Sequence, residues 1–307
     1  MNFTAKDVSD LRAQTGIGMM ECKKALTEAN GDKEAAIKIL REKGLAVAAK
    51  KADRIAAEGK VAIKVDGNKA AMIEVNCETD FAAKGDKFVA FTEKLLEIIL
   101  AKNPADVAAL LAESYDAENS VDDYLKKEVI NTIGENITIR RFVVIEGVLA
   151  SYVHGGGTIG VVVNADTTVA DVEAVKAVLK NAALQVAAMH PKYLDKDSVP
   201  ADAIEAEKEI LMAQINNDEK NANKPDAVKE KMILGKIGKF YETNCLTEQE
   251  YVKAEGKETV GQYVAAEAKK LGGEITLSGF VRFEKGEGIE KKEEDYADEV
   301  ARLAGTK

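Results

Sequence analysis

The chain of 307 residues is long enough for two or three folded units of roughly 100–200 residues each. Hydrophobic residues at 46% and charged residues at 31% exclude a predominantly disordered chain, and a net charge of −10 argues against nucleic acid as a partner. Cys22, Cys77 and Cys245 are widely spaced, and with two histidines they form no zinc-ligand pattern and offer few of the usual catalytic groups.

The N-terminus lacks an apolar signal core, and apolar stretches such as 142–150 are short and broken by Glu146. A cytoplasmic protein without a membrane span, metal or cofactor is predicted, and binding is the favoured class of activity. The opening reads as three short helices. Thr4 with Asp7 caps the first, Gly16-Ile17-Gly18 breaks it, Met19 and Met20 start the second, and Asn30-Gly31 ends it. Asp32 caps the third, Lys43-Gly44 stops it, and residues 45–58 form a helical tether.

From Lys60 the period changes to two. Val61, Ile63 and Val65 alternate, Asp66-Gly67-Asn68 turns the chain, and Met72, Ile73 and Val75 return in a β-hairpin. A helix then carries Phe88, Phe91, Leu95, Leu96, Ile98 and Ile99, and a second covers 121–133. Strands follow over 137–145, 148–153 and 159–163, and a helix over 169–189 ends at His190-Pro191. Residues 201–215 and 226–241 pair as an antiparallel helical hairpin, with Ile204, Leu211 and Ile215 facing Val228, Met232 and Ile237. A helix over 259–271, a strand over 274–283 and a terminal helix over 293–303 complete an α+β chain.

Residues 73–79 resemble residues 161–167 at a constant offset of 88, which suggests a decayed internal repeat. The first copy continues with Asp80-Phe81 and the second with Thr168-Val169, so the repeated architecture does not demand Phe81. Thr79-Asp80-Phe81-Ala82-Ala83 places an aromatic ring and a carboxylate just beyond a strand, where Phe81 is either ordinary core or a partner hot spot. Met19 and Met20 begin a helix in a unit too small to bury both, and flexible thioethers suit a partner surface. The glycine pattern from Gly155 to Gly160 runs into a strand, so no helix N-terminus is available to hold a pyrophosphate. Asn223-Lys224-Pro225-Asp226 matches a guanine-reading pattern without a phosphate-binding loop and reads as a polar hinge. His154 and His190 read as a surface contact and a helix end.

Leu11-Arg12-Ala13-Gln14-Thr15-Gly16 with Met19-Met20-Glu21-Cys22-Lys23-Lys24-Ala25-Leu26 resembles the N-terminal signature of the bacterial elongation factor Ts family. Asn76-Cys77-Glu78-Thr79-Asp80-Phe81, Ile133-Gly134-Glu135-Asn136-Ile137 and the segment from Gly279 to Glu290 resemble further blocks of that family, in order along nearly the whole chain. One departure is Ala82, where the family often carries valine.

The resemblance implies a ubiquitin-associated-like three-helix domain with its tether at 1–53 and a two-subdomain α+β core with antiparallel sheets. The first core subdomain spans 54–147, and the second spans 148–200 with 242–284. A helical hairpin suited to contact or homodimerisation is inserted at 201–241, and a C-terminal helical module occupies 285–307. It implies nucleotide exchange on elongation factor Tu, in its GDP and nucleotide-free forms, with no catalytic residue of the chain's own. Asp80, Phe81, Ala82 and Ala83 would dislodge the partner's Mg²⁺. Leu11, Arg12, Met19, Met20, Ile133, Gly134, Glu135, His154 and the C-terminal helix would supply further contacts. An adaptor built on the three-helix unit and the hairpin is the alternative, followed by an enzyme using Glu78 and Asp80.

Overall fold

The computed structural model describes residues 3–15 and 17–290. Helices α1 (Ala5–Thr15), α2 (Met19–Glu28) and α3 (Lys33–Lys51) enclose a small core of Val8, Leu11, Ile17, Cys22, Leu26 and Leu40. Thr4 and Asp7 cap α1 reciprocally, and the Asp32 carboxylate accepts from the Ala35 N–H at 3.0 Å to start α3.

Helix α3 does not stop at Gly44, as the sequence predicts, and the first half of the expected tether is its continuation. Gly44 is buried, and a Cβ there would lie 2.8 Å from the Lys127 carbonyl oxygen. The glycine is a point of close approach between helices, where packing overrides its poor helix propensity.

Strands β1 (Glu58–Asp66), β2 (Lys69–Cys77) and β3 (Thr138–Glu146) form one antiparallel sheet with β2 in the middle. Strands β4 (Val148–His154), β5 (Ile159–Thr167) and β6 (Ile275–Glu284) form a second with β5 in the middle. The fold is α+β, and the similarity at offset 88 falls on the two central strands. Between β2 and β3 run α4 (Asp80–Lys84), α5 (Asp86–Lys102), α6 (Val107–Ala112), α7 (Val121–Tyr124), a π-helical turn (Leu125–Val129) and α8 (Ile130–Ile133). Helix α6, absent from the sequence reading, is too short to show a helical period.

The layers explain the burial pattern. Ile73, Val75 and Cys77 of β2 meet Phe88, Phe91, Leu95 and Ile99 of α5, while Ala70 and Met72 point the opposite way into the contact between the sheets. On the far side Val161, Val163 and Ala165 of β5 meet α9 (Val172–Met189). Each sheet therefore carries helices on its outer face and the other sheet on its inner face. Glu74 lies between the sheets, fully buried, with its carboxylate bound by Arg140 at 3.0 Å, Arg141 at 2.7 Å and the Gly286 N–H at 2.8 Å.

Helices α10 (Ala201–Asn217) and α11 (Asp226–Asn244) form the hairpin, inserted between α9 and α12 (Val260–Lys270). Its seam is Leu211 and Ile215 against Ile233 and Ile237; Val228 is exposed, correcting the predicted facing. The inward stripe of α11 runs through Lys229, Ile233 and Ile237, and the Lys229 ammonium donates to Asn216 Oδ1 at 2.7 Å. A narrow stem joins the hairpin to the core. There the Lys192 and Tyr193 N–H groups donate to the Asn244 carbonyl, and the Leu246 N–H donates to the Tyr193 carbonyl. The terminal helix expected over 293–303 lies outside the described residues.

Candidate functional site

Strand β2 ends at Cys77, whose thiol donates to the Thr79 carbonyl at 3.1 Å. Thr79 then caps α4, its hydroxyl accepting from the Ala82 N–H at 3.2 Å. The turn is braced from a distant part of the chain: the Glu135 carboxylate accepts from the N–H groups of Glu78 and Thr79, each at 3.0 Å, and from the Thr79 hydroxyl at 2.6 Å. Glu78 returns the contact by accepting from the Asn136 N–H at 2.6 Å, and the Asn136 amide donates to the carbonyls of Ala52 and Arg54. The segment following α3, the end of β2 and the segment following α8 thus meet behind α4.

On this support Phe81 is 82% exposed. A large aromatic side chain left in water on a fixed backbone is the informative kind of exposure, since single aliphatic residues at a surface are common. The second half of the molecule supplies a contrast: Val169, the position matching Phe81 in the repeat, is buried. Asp80 pairs with Lys84 at 2.6 Å, and chiefly that hydrogen bond holds its carboxyl below the usual aspartate range. Ala82 packs partly against the first core. Ala83 is largely buried within it and anchors α4.

The remaining predicted contacts divide. Met19 and Met20 are 48% and 64% exposed, and Arg12 is exposed on α1 of the same three-helix unit. Leu11 is fully buried, because its position on α1 faces Cys22 and Leu26; it holds the unit together and does not present itself outward. Ile133 is half-buried against the first core, and Gly134 is exposed in a left-handed turn that ends α8. Glu135 spends its carboxylate on the Thr79 turn. The sequence marks its block but not this bracing role, which depends on a hydrogen bond across 56 residues.

His154 is exposed at the end of β4, with Nδ1 at 2.9 Å from the Tyr152 hydroxyl. Gly155, Gly156 and Gly157 follow with φ of +58°, +66° and +111°, which only glycine adopts readily. The Gly157 carbonyl accepts from the Val61 N–H at 2.8 Å, so the turn is fastened to β1. This fastening brings it across a cleft from Asp80, Ala83 and Lys84. Two segments singled out separately in the sequence, the Phe81 turn and the His154 turn, are therefore neighbours. Lys60 and Lys285 also line the cleft, and no local motif announces either. His190 caps α9 in a left-handed conformation and lies 3.3 Å from Glu284. Among the described residues no group of three or more His, Cys, Asp or Glu side chains is placed to hold a metal, and no helix is long and apolar enough to cross a membrane.

A doubled α+β core that presents a braced, outward-facing aromatic turn has the build of a protein-contact module. Residues 78–287 match the family model described as Elongation factor TS. The chain is 47% identical over 310 residues to elongation factor Ts of Clostridium botulinum, covering 99% of each chain. It is 48% identical over 317 residues to that of Trichlorobacter lovleyi, covering all of both, and 48% identical over 314 residues to that of Symbiobacterium thermophilum, covering 99% of each. The chain belongs to the elongation factor Ts family, and so to the translation elongation factors.

Proposed function

We propose that the chain is a guanine nucleotide exchange factor that binds elongation factor Tu in its GDP form, dislodges Mg²⁺ and promotes GDP release. The observation that carries this reading is the braced, solvent-exposed Phe81. Exchange of this kind needs no covalent step by the chain itself. A protein that binds the nucleotide-free GTPase more tightly than the GDP form must, by reciprocity, weaken GDP binding to the same degree. Phe81 enters an apolar slot of the partner, and the ionised Asp80 beside it disturbs the groups that position the metal. Loss of Mg²⁺ removes the cation that neutralises the phosphates and helps hold the nucleotide.

Magnitudes argue that the surface is larger than one ring. Full burial of Phe81 is worth roughly 1.5–3 kcal/mol, about ten- to a hundredfold in an equilibrium constant. Arg12, Met19, Met20, Gly134 and His154 are the exposed residues that add to it. In this reading the unit at 1–53 is a ubiquitin-associated-like docking domain, and 54–147 with 148–200 and 242–284 present the exchange surface. The hairpin at 201–241 serves contact or homodimerisation, and 285–307 is a further contact module.

The test is release of fluorescent GDP from elongation factor Tu. Substoichiometric chain accelerates release over many turnovers, and Phe81→Ala cuts the rate about ten- to a hundredfold while the melting temperature stays put. Stable capture of the GTPase without faster release would replace this reading with that of an adaptor.

A further inference from the structure

The cleft beside Phe81 has a charge pattern of its own. Lys60, Lys84 and Lys285 line it together with the glycine turn, around a space of about 190 Å³. Lys84 is held by Asp80, and Lys285 by Glu58. Lys60 has no carboxylate partner among the described residues. The side chain of Lys60 is nonetheless placed: it is half-buried on β1, and its Cγ would lie 2.4 Å from a Cβ at position 157, so its stem runs tightly along Gly157. Gly155 and Gly156 also line the cleft, and their N–H groups have no acceptor among the described residues. Three ammonium-bearing side chains and a glycine turn thus line a space whose wall includes α4, the helix that carries the exposed ring.

We propose that this cleft is an oxyanion pocket that takes one carboxylate side chain from the protein Phe81 engages; the proposal rests on the exchange-factor reading. Charge selects the occupant. Among the described residues one ammonium is left without a carboxylate, and the Asp80 carboxylate on the cleft wall repels a doubly charged phosphate, whereas a single carboxylate balances the site. Because Lys84 and Phe81 share α4, the apolar anchor and the cationic pocket move as one surface. The partner therefore carries an acidic residue at the rim of the slot that receives the ring. Such a pair adds specificity and register to the contact, and it acts most strongly at low ionic strength.

The experiment compares wild type, Lys60→Gln, Lys60→Glu and Phe81→Ala as full chains, measuring dissociation constants with nucleotide-free elongation factor Tu at low and high salt. Lys60→Gln weakens the complex about three- to tenfold at low salt and Lys60→Glu weakens it further, both effects shrinking at high salt with melting temperatures unchanged. Replacing one acidic residue of the partner by alanine abolishes the difference between wild type and Lys60→Gln, as a shared contact requires. If both Lys60 variants bind like wild type while Phe81→Ala binds weakly, the pocket is overturned and the exchange-factor reading stands. Wild-type binding by Phe81→Ala removes that reading and the assigned occupant with it. Inorganic phosphate that shifts the Gly155 and Gly156 amide resonances of the free chain, with no effect of Lys60→Gln on the complex, would make this a free-anion site and overturn the proposal.

Discussion

The Glu135 carboxylate takes both hydrogen-bond donors of Thr79, its backbone N–H at 3.0 Å and its hydroxyl at 2.6 Å. The geometry of the exposed turn is therefore set from behind. Glu135→Ala leaves the Glu78 and Thr79 amides without their acceptor, at a cost of about 1–3 kcal/mol, and slows GDP release although the side chain faces the protein's own backbone. Hydrogen exchange at the two amides reports the cause. If release slowed while their protection stayed at the wild-type level, Glu135 would be touching the partner directly.

Gly44 tests whether helix packing or helix propensity decides the path of α3. In a free helix, alanine is better than glycine by about 1 kcal/mol. Here the added methyl meets the Lys127 carbonyl at 2.8 Å and the Asn131 amide at 3.2 Å. Gly44→Ala should lower stability by about 1–3 kcal/mol and speed proteolysis near the junction of α3 with the core. A higher melting temperature would show that the two backbones separate at no cost.

Glu74 gives the fold an acid-sensitive contact between its sheets. Burial pushes its carboxyl up, but the Gly286 N–H, Arg140 and Arg141 outweigh burial, and it titrates below the ordinary glutamate range. A depressed carboxyl stabilises the fold fully above the unfolded value of about 4.3, and that contribution disappears as pH falls through the folded value. Urea unfolding should find Glu74→Gln about 1–3 kcal/mol less stable near neutral pH, with the gap closing below about pH 4. A gap independent of pH would mean that shape, not charge, is what Glu74 provides.

Cys77 and Cys245 are buried thiols, pushed chiefly by that burial up to about 12 and about 11. Since the thiolate is the reactive form, neither should react with a disulfide reagent in the folded chain near pH 8, and both should react once the chain is unfolded. Fast labelling of native Cys77 would indicate that the Thr79 turn opens, because its thiol donates to the Thr79 carbonyl.

Much of the core was legible because its signals are local. The period-two runs of β1 and β2, the Asp32 cap of α3 and the apolar spacing of α5 each lie within one element. Facing was harder to read. Leu11 and Arg12 are adjacent in one motif, yet one fills a core and the other meets water, a distinction made by Cys22 and Leu26 on the next helix. Phe81 stayed open between core and surface because α4 has five residues, too few for a hydrophobic period. The cleft was invisible for a related reason: Lys60, Lys84, the glycine turn and Lys285 come from four separate stretches that meet only when the sheets stack.

The stem of the helical hairpin carries a geometric consequence. Its strands of chain leave and return side by side at Tyr193 and Cys245, already joined by backbone hydrogen bonds, so the core is closed whatever hangs beyond them. Doubling the length of a loop adds only about 0.6 kcal/mol of closure entropy. At 19 residues, α11 projects roughly 28 Å from its anchorage. The hairpin is in effect an outrigger: its reach can be lengthened or shortened turn by turn while the sheets that hold the Phe81 turn remain as they are.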